Sequence, residues 1–226
     1  MTIKRFDLSN MLREIKSDWI ILLLIVAEFT AGVILYPHLP DRVPAHWNVH
    51  GQIDRYSSSF MGAFGLPLLT LGIYAMMLLL PQLDPRRENY ARFAGAYRIL
   101  KLILTGFFAL LYVVIMLTAL GYAVPVDRFV ITGIGVLFMV IGNFMGQFRH
   151  NYFVGIKTPW TLASEAVWQK THRLGSKLWV LAGLLIVIIG LVIGGEKGFI
   201  LFFIILGLAV VVPVVYSYLL YSREKA

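Results

Sequence analysis

The chain has 226 residues, of which 59% are hydrophobic and only 14% are charged. A soluble domain usually carries about 25% charged residues, so this composition excludes an ordinary soluble domain and predicts an integral membrane protein. The absence of cysteine excludes disulfide bonds and thiolate metal sites. The net charge of +8 is interpreted as a bias of cytoplasmic loops, and no direct nucleic-acid partner is predicted.

Six stretches are long and apolar enough to cross a bilayer as helices, which takes about 20 residues. They cover roughly residues 19–36, 59–80, 99–122, 129–146, 178–194 and 199–221. With the N-terminus inside, sixteen of the twenty Lys and Arg residues fall on the cytoplasmic side and four outside, as the positive-inside rule requires of short loops. The predicted fold class is therefore an all-α integral membrane protein with six transmembrane helices and both termini cytoplasmic.

The loops divide the chain into three parts. A cytoplasmic tail, 1–18, precedes a two-span unit, 19–98, with an extracytoplasmic loop at 37–58. A four-span unit, 99–226, contains the long polar loop 147–177. Within the tail, apolar residues recur at helical spacing, which favours a short amphipathic helix on the inner leaflet, with a solvated tail as the alternative.

Glu28 lies near the middle of the first span. An acidic side chain at that depth costs at least a few kcal/mol, so it should face the bundle interior or water. It is either a proton, ion or metal site, or a protonated carboxyl that fixes helix packing.

The outer loop concentrates polar chemistry in the stretch VPAHWNVHGQID. His46 and His50 are four residues apart, a spacing that would suit a metal ion on a helix. The upstream prolines and Gly51 argue instead for a turn, in which that spacing means little. The alternative to a metal site is a compact ordered lid with Trp47 at the membrane interface. The candidate residues of the outer side and of the first span are Glu28, His46, Trp47, Asn48, His50, Gly51 and Asp54.

The polar loop 147–177 interrupts two very apolar stretches. Pro159 biases its neighbour Thr158 away from helical geometry, so GIKTPW is predicted to be an ordered turn. Thr161 or Ser164 can then cap a short amphipathic helix over about 162–174, in the cytoplasmic loop between spans four and five. Gly175 is a plausible residue to end it.

Three interpretations of this loop remain open. Glu165, Trp168 and His172 share one helix face, so the acid and the imidazole are a candidate acid/base or ligand pair, with Arg149, Lys157 and Arg173 gripping an anion such as a lipid phosphate. Alternatively, the loop is an interfacial scaffold with its Trp residues at head-group level, or a docking surface for a cytoplasmic protein. The spacing offers no nucleophile with a base and an orienting group, so no catalytic residue is assigned.

The sequence from Gly155 to Leu162 reads GIKTPWTL, and it is followed by E-x-V-W-x-K-x-x-R from Glu165 to Arg173. These residues resemble the signature of the SdpI family of bacterial membrane proteins. The upstream LPDRVPAHWNVHGQID resembles an uncharacterised domain that is often fused in front of that signature. The signature-loop residues marked as functional are Arg149, Asn151, Gly155, Lys157, Thr158, Pro159, Trp160, Thr161, Glu165, Trp168, His172 and Arg173.

The resemblance implies a six-helix protein of the bacterial inner membrane. No cofactor is predicted, and a metal ion at His46 and His50 stays open. It implies immunity to a secreted membrane-active toxin peptide, and, as in the family's named member, signalling through a cytoplasmic regulator protein. The partners expected are thus the lipid bilayer, a toxin peptide and a cytoplasmic regulator. The alternative function is a membrane enzyme or transporter with a polar or metal site built from Glu28, the outer-loop histidines or the signature loop.

Overall fold

The computed structural model describes residues 8–225, which form a bundle of long helices with one small sheet. The helices are α1 Leu8–Ser17, α2 Trp19–Leu35, α3 Ser59–Leu83, α4 Ala94–Ala119, α5 Val126–Met145, α6 Pro159–Ala163, α7 Glu165–Val192 and α8 Gly195–Lys225. The strands are β1 Arg42–Trp47 and β2 Ile53–Ser58, and short 3-10 helices cover Tyr36–His38 and Arg87–Phe93. The first seven residues of the predicted tail lie outside the described chain, and the predicted amphipathic helix of its remainder is α1.

Six of these helices are long and apolar enough to span a membrane, which confirms the predicted polytopic membrane protein. They are α2, α3, α4, α5, α7 and α8, and several extend beyond the predicted spans. The largest difference is in α7, which begins at Glu165 rather than near residue 178. Hydropathy detects the apolar middle of a helix, whereas backbone hydrogen bonding continues through polar residues until a cap or a turn ends it.

The separate loop helix predicted over 162–174 is therefore wrong in its bounds. Gly175 does not end a helix but lies buried inside α7, where an added Cβ atom would come within 2.6 Å of the Ile156 side chain. The loop contains only the five-residue α6, capped by Thr158, and Ser164 caps α7 by accepting a hydrogen bond from the Val167 amide at 3.2 Å.

The helical content is consistent with the predicted all-α membrane protein. The loop 37–58 adds one small element, because β1 and β2 pair as an antiparallel hairpin. Its turn is closed by Asn48, whose Oδ1 accepts hydrogen bonds from the His50 and Gln52 amides at 3.0 Å each. Gly51 supplies the left-handed residue with φ +74°. The hairpin is anchored by Val43, which is fully buried against Gly62 of α3.

The bundle has two unlike ends. We call the end where α3 and α5 finish and α4 and α7 begin the signature end, and the opposite end, which carries the β-hairpin, the hairpin end. Placement of the signature end in the cytoplasm stays a prediction from charge.

The closest helix pair in the bundle is α5 with α7, joined along glycines spaced seven residues apart on each helix. A Cβ atom added at Gly135 would lie 2.7 Å from the Val187 amide nitrogen, and one at Gly183 would lie 2.5 Å from the Gly135 carbonyl oxygen. Gly142 and Gly190 are equally confined against the opposite backbone. Small residues let membrane helices approach closely and pack through van der Waals contact, so these glycines fix the axis of α7 relative to α5.

Candidate functional site: the signature end

The segment 146–158 between α5 and α6 is folded around one buried side chain. Asn151 is fully buried, and its Nδ2 donates to the carbonyl oxygens of Arg149 at 2.7 Å and Val154 at 2.9 Å. Its Oδ1 accepts from the amides of Phe153 at 2.9 Å and Val154 at 2.7 Å. An Asn side chain commonly closes such a turn on its own backbone. Here it satisfies both donors and acceptors, so the segment is an ordered part of the fold.

Trp168 and His172 of α7 pack against this segment. Their rings stack with centroids 4.0 Å apart, and both side chains are almost fully buried. Trp168 Nε1 donates to the Phe148 carbonyl at 2.9 Å. The predicted shared face with Glu165 is only partly formed, since Glu165 is exposed to solvent.

His172 has both ring nitrogens engaged by the backbone. The Ile156 amide donates to Nε2 at 2.9 Å, so Nε2 must be the unprotonated nitrogen, and Nδ1–H donates to the Trp168 carbonyl at 2.8 Å. Gly155 passes directly over the ring with φ +122°, and an added Cβ atom would lie 2.3 Å from Nε2. This arrangement gives His172 the geometry of a neutral structural imidazole, and Glu165 is not one of its partners.

Threonine hydroxyl groups hold the GIKTPW segment in shape and also bind it to α8. Thr158 accepts a hydrogen bond from the Thr161 amide, and Thr161 Oγ1 accepts one from the Thr158 amide, which completes a capping box. Thr158 Oγ1 also lies 3.0 Å from Ser217 Oγ on α8. Trp160 packs against Tyr218 of the same helix, with ring centroids 5.1 Å apart. Because Pro159 occupies the first position of α6, the predicted turn becomes the start of a short helix.

Basic side chains occupy the outer surface of the segment. Those exposed to solvent are Lys157, Lys170, Arg173 and Lys177. Arg149 differs from them because it is partly buried. The anion site predicted from Arg149, Lys157 and Arg173 thus has two side chains on the surface and one partly buried.

A second loop, residues 84–93, supports the segment from α3 and α4, and sequence reasoning did not identify it. Asp84 is buried, and its Oδ2 accepts from the Tyr90 hydroxyl at 3.1 Å and from the Tyr152 amide at 2.9 Å. Asn89 Nδ2 donates to the His150 carbonyl at 2.8 Å. An Asp followed by Pro directly after an apolar span was the available signal, since this pattern marks a turn whose carboxylate needs donors.

His150 lies where the two loops cross. Burial lowers the pKa of its imidazole, and the guanidinium of Arg86 lowers it further. Exposed Glu165 and hydrogen bonds to the backbone of Leu162 and Thr161 oppose these effects. The ring lies 5.1 Å from that of Trp168. His150 is therefore held as a neutral side chain near neutral pH.

An ionic cluster joins the start of α2 to α4 at the same end. Asp18, whose side chain has 0% exposure, pairs with Lys101, which is 3% exposed. Glu14 is 3.7 Å from the Lys101 ammonium, Arg98 Nε is 3.6 Å from Asp18, and the Tyr74 hydroxyl donates to Asp18 at 3.3 Å. The cluster borders a cavity of about 800 Å³. Its sequence signal was a pair of opposite charges at the boundaries of two apolar spans.

Glu28 lies away from these groups, in the middle of α2. It is 4% exposed, and neither carboxyl oxygen has a hydrogen-bond partner among the described residues. It borders a cavity of about 350 Å³ between α2 and α4 whose other lining residues are almost all apolar. Tyr112 shares that wall but donates its hydroxyl proton to the Ala63 carbonyl at 3.0 Å. The prediction that Glu28 faces the interior is consistent with this burial.

The outer-loop candidates form separate pairs on the hairpin. His46 Nδ1 lies 2.6 Å from Asp54 Oδ1 across the two strands, and His50 lies 3.9 Å from Glu196 at the start of α8. Trp47 is partly buried at the end of β1. In residues 8–225, no three His, Asp or Glu side chains lie together in a group that could hold a metal ion. A metal site at His46 and His50 stays a prediction.

The structure does not assemble one polar site from all the candidates. None of the contacts found within the described chain joins Glu28 to His46 or His50. The signature loop lies at the far end of the bundle from the hairpin. The signature end is an ordered surface in which Asn151 and His172 use their polar atoms on the backbone.

Comparison with known proteins agrees with the sequence pattern. Residues 147–217 match the model of the SdpI/YfhL protein family, and residues 23–71 match that of a domain of unknown function, DUF1648. Immunity protein SdpI of Bacillus subtilis (strain 168) is 26% identical over 208 residues, which cover 92% of this chain and 97% of that protein. No solved structure matches the chain. The predicted resemblance to the SdpI family, with the uncharacterised domain before the signature, is confirmed.

Proposed function

We propose that this chain is an SdpI-type immunity protein of the bacterial inner membrane, which protects the cell against a secreted membrane-active toxin peptide. The observation that carries the proposal is the similarity to an immunity protein along nearly the whole of both chains. Six helices of spanning length support a multi-pass protein of the cytoplasmic membrane, with both termini on the cytoplasmic side as the charge distribution predicts.

The geometry favours a binding and scaffolding function over bond-making chemistry. His172 and Asn151, two almost fully buried polar candidates of the signature segment, use their polar atoms on neighbouring backbone groups. A general base must keep an atom within reach of its substrate, and His172 has none free. The toxin would meet the hairpin end and α2, where the apolar cavity beside Glu28 opens between helices.

The test is protection of living cells. Deletion of the gene should sensitise its host to one or more membrane-active peptides from a panel, and the wild-type gene should restore resistance. Trp160→Ala, which removes the contact with Tyr218, should impair protection while membrane levels of the protein stay unchanged. Gln147→Ala, an exposed change in the same segment, serves as the matched control. Unchanged sensitivity of the deletion strain across the panel would contradict the proposal.

A second function, signalling to a cytoplasmic regulator, is favoured by the exposed basic residues of the signature end. Lys157, Lys170, Arg173 and Lys177 are all exposed, with Glu165 as the acidic residue beside them. Such a surface suits an acidic protein partner, because complementary charge steers association. Arg173→Glu should abolish recruitment of the regulator to the membrane and leave toxin resistance intact. Loss of recruitment with Lys225→Glu, which reverses an exposed charge at the end of α8 outside the segment, would indicate a nonspecific charge effect.

A further inference from the structure

Three basic side chains at the crossing of the two signature-end loops have buried polar atoms without a partner. These atoms are Arg86 Nη1, Arg149 Nε and His150 Nε2, and each lacks a hydrogen bond among the residues described. His150 as a whole is only 7% exposed. Buried polar groups are nearly always satisfied in native proteins, and leaving one unsatisfied costs about 1–3 kcal/mol. Two of the three residues, Arg149 and His150, are adjacent in the chain, and Arg86 lies on the loop that crosses them.

The contacts between the loops place these side chains in one region. The Arg86 guanidinium lies over the Tyr152 ring, 4.8 Å from its centroid, and Asn89 ties the other loop to the His150 carbonyl. The charge of Arg86 lowers the pKa of His150, whose ring also forms hydrogen bonds with the backbone of Leu162 and Thr161. Arg149 is the direct chain neighbour of His150.

The carboxylate of Asp84, two residues before Arg86, already has other donors. Asp84 accepts from the Arg86 main-chain amide at 2.8 Å, the Tyr90 hydroxyl at 3.1 Å and the Tyr152 amide at 2.9 Å. Its oxygens thus hold the loop in place, while the side-chain donors of Arg86, Arg149 and His150 keep unpaired atoms. Arg residues present a planar fork of donors that matches the oxygens of a phosphate group.

We propose that Arg86, Arg149 and His150 form a binding site for a phosphate group where residues 84–93 cross residues 149–152. The site lies just beyond the last residue of α3, at the depth where a spanning helix meets the lipid head groups. Basic pockets between transmembrane helices at such a level bind phospholipid head groups, and a soluble phosphate compound offers the same chemistry. The sequence suggested the exposed Lys157 and Arg173 as partners of Arg149 in an anion site. The buried set is the better candidate, because burial strengthens each charge-assisted hydrogen bond.

The experiment uses the purified full-length chain in a phosphate-free, uncharged detergent. In one arm, the midpoint of thermal unfolding is followed against inorganic phosphate, with chloride at matched ionic strength as the reference. In the other arm, phosphatidylglycerol is added to the micelles, with diacylglycerol, which has no phosphate, as the reference. A ligand of the folded state raises the midpoint in a saturable way. Saturation with phosphate alone identifies a soluble compound, and saturation with the phospholipid alone identifies a head group.

Variants assign the response to the three side chains. Arg86→Gln and His150→Gln should each raise the half-saturating concentration at least tenfold, and Arg86→Lys should raise it less than Arg86→Gln. Arg92→Gln, an exposed change in the same loop, should leave it unaltered. If Arg86→Gln fails to fold, Arg149→Gln gives the same comparison. The proposal is overturned if the wild-type chain saturates in neither arm, or if Arg92→Gln weakens binding as much as the buried variants. Because no toxin is involved, its failure would leave the immunity proposal standing.

Discussion

Replacement of Asn151 tests whether one buried amide organises the signature segment. Asn151→Leu keeps the approximate size of the side chain but removes four hydrogen bonds of 2.7–2.9 Å to the backbone of Arg149, Phe153 and Val154. Each backbone group left unsatisfied costs about 1–3 kcal/mol, so the loss of folding free energy should be at least about 4 kcal/mol. If the segment detaches from the bundle while the helices stay folded, the cost lowers the free energy of this local opening and not that of global unfolding.

The more discriminating change is Asn151→Asp. It preserves the two bonds that Oδ1 accepts but replaces the donor Nδ2 with an oxygen facing the Arg149 and Val154 carbonyls. We expect it to destabilise the protein by about 2 kcal/mol or more, although it changes only one polar group for another. Denaturant unfolding in detergent would measure the global effect, and hydrogen exchange at the Phe153 and Val154 amides would detect local opening.

Gln147 provides the matched control in the same segment, since its side chain is exposed. Gln147→Leu and Gln147→Glu should change the stability by less than about 0.5 kcal/mol, as exposed substitutions usually do. The reasoning is refuted if Asn151→Asp stays within that limit and its amide exchange is that of the wild-type protein.

Three further results are expected. Gly183→Leu should prevent close packing of α5 and α7 and lower the unfolding midpoint by several degrees, whereas Gly106→Ala, with no atom within 4 Å of the added Cβ, should not lower it. Lys101→Met should cost up to about 3–5 kcal/mol in chemical unfolding because it leaves the buried Asp18 carboxylate with only the half-exposed Arg98 as its cation, and Asp18→Leu in the same chain should recover much of that loss. The pKa of His150 is lowered by burial, so the unfolded chain binds its proton first: stability should fall as pH drops below the ordinary histidine value of about 6.5, and His150→Gln should flatten this dependence.

The spans could be predicted from sequence because twenty consecutive apolar residues have few alternatives to a membrane helix. Their boundaries could not, and α7 shows why. Glu165 to Lys177 is polar by composition, yet Trp168, His172 and Gly175 lie on a face that packs on the loop. Periodicity correctly placed Trp168 and His172 on one face, but it could not reveal that the same helix continues into the membrane.

The residues of the signature segment were identified from sequence, whereas their long-range partners were not. Thr158 was marked as functional, but its contact with Ser217 joins residues 59 positions apart. Asp84 and Tyr90 come from the loop 84–93, and their pairing with the segment exists only once four helix ends meet. The outer hairpin was missed because Pro44 and Gly51 read as turn residues, although an edge strand tolerates the first and a tight turn needs the second.

The glycine contacts between α5 and α7 have a mechanical consequence. Backbone touches backbone at Gly135, Gly142, Gly183 and Gly190, which leaves no compliant side-chain layer for one helix to slide over the other. We therefore expect the pair to move as one stiff unit that joins the turn at the hairpin end, where Asp127 accepts a hydrogen bond from the Gly195 amide, to the signature segment. α5 is about 30 Å long at 1.5 Å per residue, so a tilt of about 4° at the hairpin end would move the far end by about 2 Å. Such a displacement would separate hydrogen-bonded loops, and an event on one membrane surface would be felt on the other without any change inside the helices.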